Sequence, residues 1–301
     1  MRMKPSLSLV GAGRAGRSLA RALRAKGWRI GAVVTRSPAT ARAAVRAIGG
    51  GIAHAELKLT PVLLNADLVL LATPDDAMGG VAARLARLRP PAESRWTGKV
   101  VLHTSGALDH RVLEPIQKRG AATGSMHPMQ TFGGSAPNLR GVLFGIEGDP
   151  PARRMAQRIA RDLGGIPIVV PAGRKAAYHA AAVMVAGLGM GLLESAVVVL
   201  MSAGFTRQRA MRSLWMLLRQ MLDDAERIGT RRAWAGPLVR EDFGVIAMHC
   251  RALRAFPAEF QELYVALARV AGRTLKANPA PFMRKLNAAL AARKTRKRGI
   301  R

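Results

Sequence analysis

The chain has 301 residues, 49% of them apolar, carries a formal charge of +30 and contains one cysteine. That length supports two domains with cores of their own, and that apolar content excludes a globally disordered chain. The lone Cys250 excludes an internal disulfide framework and a cysteine-rich metal centre, and it suits a reducing, cytoplasmic location with no metal.

The first element predicted is a strand over Leu7–Val10, followed by Gly11-Ala12-Gly13-Arg14-Ala15-Gly16. Too short and too soon broken by Gly11 and Gly13, this apolar run does not resemble a signal peptide. A helical pattern runs from Arg17 to Lys26, and a second apolar run, Ile30–Val34, ends in Thr35-Arg36-Ser37. Strand, glycine turn, helix and strand make one βαβ unit, the setting in which G-x-G-x-x-G signals a dinucleotide site. Gly11 permits the tight turn, Gly13 lets the backbone approach a pyrophosphate, and Gly16 lets helix and sheet pack closely. The helix start then presents free N–H groups and its positive dipole end to the phosphates. NAD-binding domains place an acid at the end of the second strand for the ribose 2′-hydroxyl. Here Thr35, Arg36 and Ser37 stand there instead. A guanidinium matches a 2′-phosphate with parallel hydrogen bonds, so the expected cofactor is NADP.

A helix is predicted over Pro38–Ile48, then a buried strand over Leu68–Ala72 that ends in Thr73-Pro74-Asp75-Asp76, where either acid suits a helix cap. Further strands are expected at Val100–Leu102, Ala121–Met126 and Val142–Ile146. The alternation predicts an α/β fold, a Rossmann-type doubly wound parallel sheet with its ligands at the carboxyl ends of the strands. The loops after Val10, Ala72, Leu102 and Met126 then share one rim. Past Pro171 no strand pattern appears, and helices are expected over Ala176–Ala203, Arg207–Arg227, Asp242–Leu253 and Pro257–Ala277. The domains expected are 1–170 for the nucleotide, 171–290 for a helical substrate and dimerisation domain, and a basic tail, 291–301. Ala180–Ala203 is long enough to span a bilayer. Glu194 inside it, and the lack of a second such run, favour a helix buried at the centre of a soluble helical domain or dimer interface. The tail block from Arg293 to Arg301 lacks interleaved aromatic residues, so it reads as a solvated end, and neither nucleic acid nor membrane is the expected partner.

Three clusters on the expected rim carry candidate chemistry. Ser105, after the strand at Leu102, suits donation to a substrate oxygen, or equally a helix N-cap. His127, just past a strand end, suits substrate positioning or proton transfer, with Gln130 and Thr131 as further hydrogen-bonding groups. Lys175 and His179 are four apart on one helix and share a face; desolvation and mutual repulsion would bring both towards neutral pKa values, as acid–base catalysis requires. Arg240, in the Gly236–Asp242 loop, suits an anionic substrate group.

Together these residues resemble the bacterial Rossmann-like proteins with an associated domain of unknown function, described by inference as NADP oxidoreductases. Their distant relatives are deazaflavin-dependent NADP oxidoreductases, pyrroline-5-carboxylate reductases and β-hydroxyacid dehydrogenases. The matching pieces are Gly11–Gly16, Ala72–Asp75, His103–Gly106, Ser125–Phe132, Phe144–Asp149, Lys175–His179 and Gly236-Pro237 with Arg240. The resemblance implies an N-terminal NADP domain, with Ala72, Thr73 and Pro74 on its cofactor rim. It also implies a helical second domain like that of 6-phosphogluconate dehydrogenase, and a homodimer. In β-hydroxyacid dehydrogenases a lysine and an asparagine four residues later contact substrate; Lys175 matches the lysine, and His179 stands at the asparagine position. The expected function is hydride transfer between NADP and a small carbonyl, hydroxyl or imine compound in an interdomain cleft, with Lys175, His179, Ser105 and His127 catalytic. The alternative is a non-catalytic NADP(H)-binding sensor or assembly protein.

Overall fold

In the computed structural model, which describes residues 4–55, 61–88, 96–133 and 138–291, eight strands form one sheet among the described residues. They are β1 (Ser6–Val10), β2 (Arg29–Thr35), β3 (Ile52–Ala55), β4 (Leu68–Leu71), β5 (Val100–His103), β6 (Ala122–Pro128), β7 (Leu143–Gly148) and β8 (Ile166–Val169). The order is β3-β2-β1-β4-β5-β6-β7-β8. Neighbours run parallel except β6 and β7, which are antiparallel. β1, β4 and β5 are buried at every position, as strands covered on both faces must be.

Successive side chains point to opposite faces, so the sheet has two cores. Leu7, Leu9, Leu68 and Leu70 meet α1 (Arg14–Ala25), α2 (Pro38–Ile48) and a later helix, Pro150–Asp162, on one face. Val10, Val34, Val69 and Leu71 meet α3 (Asp75–Ala86) and α4 (Glu114–Gln117) on the other. Pro150–Asp162 is α5. This is the doubly wound Rossmann-type fold expected, and its parallel strand ends at Val10, Leu71, His103 and Pro128 share a rim.

Several local expectations need correction. α1 begins at Arg14, so part of the glycine motif is already helical. Asp75 is the first residue of α3, not its cap: Pro74 holds the cap position and makes no side-chain bond there. β6 continues through His127 and Pro128 because antiparallel β7 pairs them with Gly145 and Phe144. Two edge strands, β3 and β8, escaped the sequence pattern. β3 has four residues, and β8 carries Pro167, which only an edge strand tolerates.

The helical half comprises α6 (Lys175–Val185), α7 (Gly187–Ser202), α8 (Arg207–Ile228), α9 (Thr230–Ala233), α10 (Phe243–Ala252), α11 (Ala258–Leu275) and α12 (Pro279–Ala291). The chain divides after Gly187 into two compact units, so α6 belongs with the sheet. That division falls later than the 170/171 junction suggested by composition. α6 shows why: Lys175 is buried beneath the rim, and Tyr178 packs on Gly145 of β7.

The second unit has its own small core of Ile246, Ala268, Phe282 and Leu286, and Gly272 admits the Phe282 ring. It also holds a largely apolar cavity of about 560 Å³ whose lining includes Leu192, Val199, Leu214, Phe260 and Leu267. Among the described residues the expected burial of the long apolar run is not met. Lys175–Ser202 is long and apolar enough to cross a membrane, yet 6% of its most apolar window is buried, and Val197 is the buried residue of α7. Leu188, Met190 and Leu192 on α7 are exposed, as are Trp215, Leu217 and Met221 on α8. Among the described residues, no element of the same chain buries these side chains. The basic tail, 292–301, lies outside the described residues.

Candidate functional site

The glycine loop has the geometry that a dinucleotide requires. Gly11 has φ +85, and a Cβ there would come within 2.7 Å of the Ala72 and Thr73 backbone. A Cβ on Gly16 would lie 2.6 Å from the Gly11 carbonyl oxygen, so this glycine sets how closely α1 meets the loop. Above Gly13 there is open space, and Gly13 caps α1 without a side-chain bond to the first helical N–H groups. Those donors are available to an anion. Ala12 and Ala15 line the same turn, and Arg14 donates to the Gly133 carbonyl at 3.2 Å. Ala72, Thr73 and Pro74 follow β4 on the neighbouring rim.

At the end of β2, Thr35 Oγ1 donates to the Ser37 carbonyl at 2.9 Å, and Ser37 caps α2 by accepting from the Thr40 N–H at 3.2 Å. These bonds fix the backbone on both sides of Arg36, whose side chain is exposed. Among the described residues no carboxylate pairs with it. The residues present therefore fit a 2′-phosphorylated dinucleotide: a bare glycine bridge, an open helix start and an uncommitted guanidinium.

The chemistry-bearing side chains gather within the same unit, around the ends of β5, β6 and β7. Lys175, the first residue of α6, is 2% exposed, and its Nζ donates to the Ser105 carbonyl at 3.0 Å. Nζ also lies 5.6 Å from the Tyr178 ring centre. Burial pulls its pKa down to about 8, while Glu147, Asp75 and Asp109, each further off than an ion pair, hold it up. Burial, not repulsion by His179, is thus the dominant cause. Lys175 is poised as a proton donor and acceptor near neutral pH.

The Ser105 hydroxyl is committed. It donates to Asp75 Oδ2 at 2.8 Å and accepts the N–H groups of Ala107 and Leu108 at 3.2 and 3.0 Å. What Ser105 offers Lys175 is its carbonyl, and Asp75 is what locks that turn. His103 completes the lock. Its Nδ1 accepts the Ser105 N–H at 3.2 Å, which leaves Nε2–H to donate to the Asp109 carbonyl, also at 3.2 Å. Burial, and then the Lys175 charge, push its pKa to about 4, so it is neutral. Glu147, 5% exposed on β7, accepts the His110 N–H at 2.7 Å and Ser125 Oγ at 3.2 Å.

His127 meets Tyr178 and His179. Its Nδ1 is 3.1 Å from Tyr178 Oη, and that hydroxyl lies 3.3 Å from the His127 carbonyl. Both contacts are satisfied together when Nδ1–H donates to Oη and the hydroxyl donates onward to the carbonyl. The His127 and His179 rings meet edge to face, with centres 5.4 Å apart. Gly145 and Gly106 make room: a Cβ on Gly145 would sit 2.6 Å from Tyr178 Cζ, and one on Gly106 would strike both histidine rings. Burial first, then the Lys175 and His179 charges, hold the His127 pKa near 4. A histidine neutral at that level orients groups rather than carrying protons at neutral pH.

The structure thus brings Ser105, His127, Lys175 and His179 into one cluster. Gln130 and Thr131 lie just beyond β6, where Gln130 Oε1 accepts the Thr131 N–H at 2.8 Å. Arg240 lies in the second unit, in a turn where Glu241 has φ 58 and pairs with Lys276 and Lys285. Sequence reasoning missed Asp75 as the partner of Ser105, and it gave no role to His103, Glu147 or Tyr178 although all three lie in the segments that carry the resemblance. For Tyr178 helical spacing also gave a signal: it sits three residues after Lys175, on a neighbouring position of the same helix.

Residues 2–128 match the Rossmann-like domain, and residues 142–271 match a domain of unknown function, DUF2520. No curated protein matches the chain. Solved structures do share its fold. A Bacteroides fragilis protein, provisionally described as an NADP oxidoreductase, is 23% identical, with 89% of this chain and 98% of that chain covered at a TM-score of 0.72. A reductive aminase from Aspergillus terreus, in complex with NADPH and ethyl-5-oxohexanoate, is 20% identical over 90% of this chain and 94% of that one, at a TM-score of 0.63. A pyrroline-5-carboxylate reductase from Coxiella burnetii is 18% identical over 89% and 98%, at a TM-score of 0.57.

Proposed function

From the premise that the chain belongs to the proteins joining a Rossmann-like domain to the DUF2520 domain, we propose that it is an NADP-dependent oxidoreductase. The observation that carries this is a glycine loop fitted to a dinucleotide in the same compact unit as a buried lysine with a pKa of about 8. Bound NADPH would supply hydride to a small carbonyl or imine compound, or accept it from a hydroxyl compound. Gly11–Gly16 would hold the pyrophosphate, Ala72–Pro74 would border it, and Thr35, Arg36 and Ser37 would hold the 2′-phosphate. Lys175 would give or take the proton at the reacting heteroatom. Asp75 and His103 fix the Ser105 turn against which Lys175 is aimed, and Tyr178 sets His127 and, with it, His179. Gln130, Thr131 and Arg240 remain candidates for holding the rest of the substrate. The same reading places the protein in the cytoplasm, where pyridine nucleotides and its single thiol are at home. Titration calorimetry should find NADPH bound at micromolar strength or tighter. Failure of both NADPH and NADP⁺ to bind would end this reading. Tight binding with no oxidation across a wide panel of acceptors would favour a sensor or assembly protein instead.

The helical unit is proposed to make a homodimer. Leu188 and Met190 on α7 are 63% and 59% exposed, and Met216 and Leu217 on α8 are 65% and 68% exposed. Apolar surface of that extent marks an interface. Sedimentation at micromolar concentration should show a dimer, and replacing Leu188 and Leu217 with glutamate should shift it to monomer. A wild-type chain that sediments as a monomer throughout would refute the assignment.

A further inference from the structure

We propose that the helix layer on one side of the sheet, α1, α2 and α5, is a docking face for the phosphate backbone of a nucleic-acid duplex. The proposal is independent of the oxidoreductase reading, whose cofactor residues include the start of α1; the cations used here lie on its last turns and on α2 and α5. Its basis is a charge asymmetry across the sheet. α1, α2 and α5 pack on one face and together carry ten arginines and a single acid, Asp162. α3 and α4, on the other face, carry three acids and one arginine. An arginine-rich composition alone would load both layers alike. The one acid of the basic layer is already engaged: Asp162 accepts from Lys4 Nζ at 2.7 Å and from Trp28 Nε1 at 2.8 Å. Arg21, Arg24, Arg42, Arg46, Arg154 and Arg161 are exposed, and among the described residues none of them has an acid within ion-pair distance. Elsewhere helical cations do meet acids, as Lys118 meets Glu114 at the end of α4 and Arg227 meets Asp224 on α8.

These cations form one fixed surface. Leu19, Leu23, Ile48 and Ile159 anchor the three helices in the core beneath. The Arg24 guanidinium lies over Gly49 and Gly50 at the end of α2, and the Arg158 guanidinium on α5 lies 5.8 Å from the Trp28 ring, just past α1. Packed helices stand about 10 Å apart, so the layer presents a plate about 20 Å across. Like charges held together repel, and a polyanion relieves that repulsion. A duplex offers a phosphate about every 3.4 Å along each strand and releases condensed counter-ions when bound. All ten cations are arginine, whose planar fork binds phosphate through two parallel hydrogen bonds. A membrane surface fits less well, because helices that lie on lipid set large apolar residues beside their cations. No large apolar side chain of α1, α2 or α5 is exposed. A single strand also fits less well, because its bases stack on aromatic rings, and these helices have none. The face therefore holds backbone and carries no sequence preference. The tail block, from which no nucleic-acid partner was expected, takes no part in it.

The test is fluorescence anisotropy with labelled DNA and RNA duplexes of about 20 base pairs, at salt from about 50 to 200 mM. The full-length wild type should bind at least one of the two at micromolar strength, with affinity falling steeply as salt rises. A triple variant with one reversal per helix, Arg21→Glu, Arg46→Glu and Arg161→Glu, should lose about tenfold or more in affinity, and its log–log salt slope should flatten by about 2–3. A second triple of equal charge on exposed positions of the helical unit, Arg251→Glu, Arg254→Glu and Arg273→Glu, should stay within about threefold of the wild type. Circular dichroism checks that both triples are folded; if the first is not, glutamine at the same three positions should still cost about fivefold. A loss in the first triple no greater than in the second would mean attraction to net charge alone and would overturn the proposal. So would absence of duplex binding at about 50 mM salt, or tighter binding of a single strand than of either duplex. Vesicles of phosphatidylcholine and phosphatidylserine bound more tightly than either duplex, with that binding lost in the first triple, would assign the face to a membrane instead.

Discussion

Replacing Lys175 with alanine should lower kcat by about 10²–10⁴-fold, the usual worth of a positioned acid–base group, while NADPH affinity stays within about twofold. The split follows from position: Lys175 is the first residue of α6, whereas the groups proposed to face the phosphates lie at the ends of β1 and β2 and the start of α1. The pH dependence carries the sign. Reduction needs the ammonium, so its rate should hold below pH 8 and fall above the pKa of about 8. Oxidation needs the free amine and should rise through the same range. Stability should move the opposite way to the reduction rate. A lysine whose folded pKa lies below its unfolded value penalises the folded state while it is charged, and the penalty is relieved as pH climbs from about 8 towards 10.5. At neutral pH that penalty amounts to about 3 kcal/mol. Lys175→Met, which keeps the volume without the charge, should therefore unfold at higher denaturant at pH 7, with the advantage shrinking above pH 8. Unchanged turnover in Lys175→Ala, measured in both directions, would remove this residue from the mechanism.

The βαβ opening was legible because it is local. Gly11, Gly13 and Gly16 lie within six residues, between apolar runs whose periods differ, and short-range sterics dictate their roles. Lys175 and His179 were legible for the same reason, as a helical face. What stayed hidden depends on contacts made across the fold. Asp75 looks like a cap because it opens a helix, yet its partner Ser105 comes from the next strand along the sheet. His127 looked like a loop residue because Pro128 usually ends regular structure. Antiparallel β7 keeps both in the ladder, and the direction of a strand leaves no trace in its composition. The long apolar run over Ala180–Ala203 was read as buried because an all-round apolar helix must be covered by something. That inference concerns the burial partner as much as the helix, and the described residues of one chain do not supply it.

Arg36→Glu should exchange the cofactor preference. A guanidinium on a phosphate contributes about 1.5–3 kcal/mol through charge-assisted hydrogen bonds, so its loss should raise the Kd for NADPH by about 10–150-fold. The carboxylate adds repulsion towards the 2′-phosphate and offers NADH an acceptor for its 2′-hydroxyl, so NADH affinity should rise or hold. The backbone at this point should tolerate the change. Thr35 and Ser37 are tied through the Ser37 carbonyl and the Thr40 N–H, and neither bond involves the Arg36 side chain. Arg36 is also exposed, so folding stability should shift by no more than about 0.5 kcal/mol. Calorimetry with both nucleotides on the wild type and on Arg36→Glu reads the exchange directly. Comparable losses for NADH and NADPH would mean that the substitution disturbed the loop instead. Unaltered NADPH affinity would mean that the 2′-phosphate is held elsewhere, with Arg14, one turn into the glycine motif, as the next cation to replace.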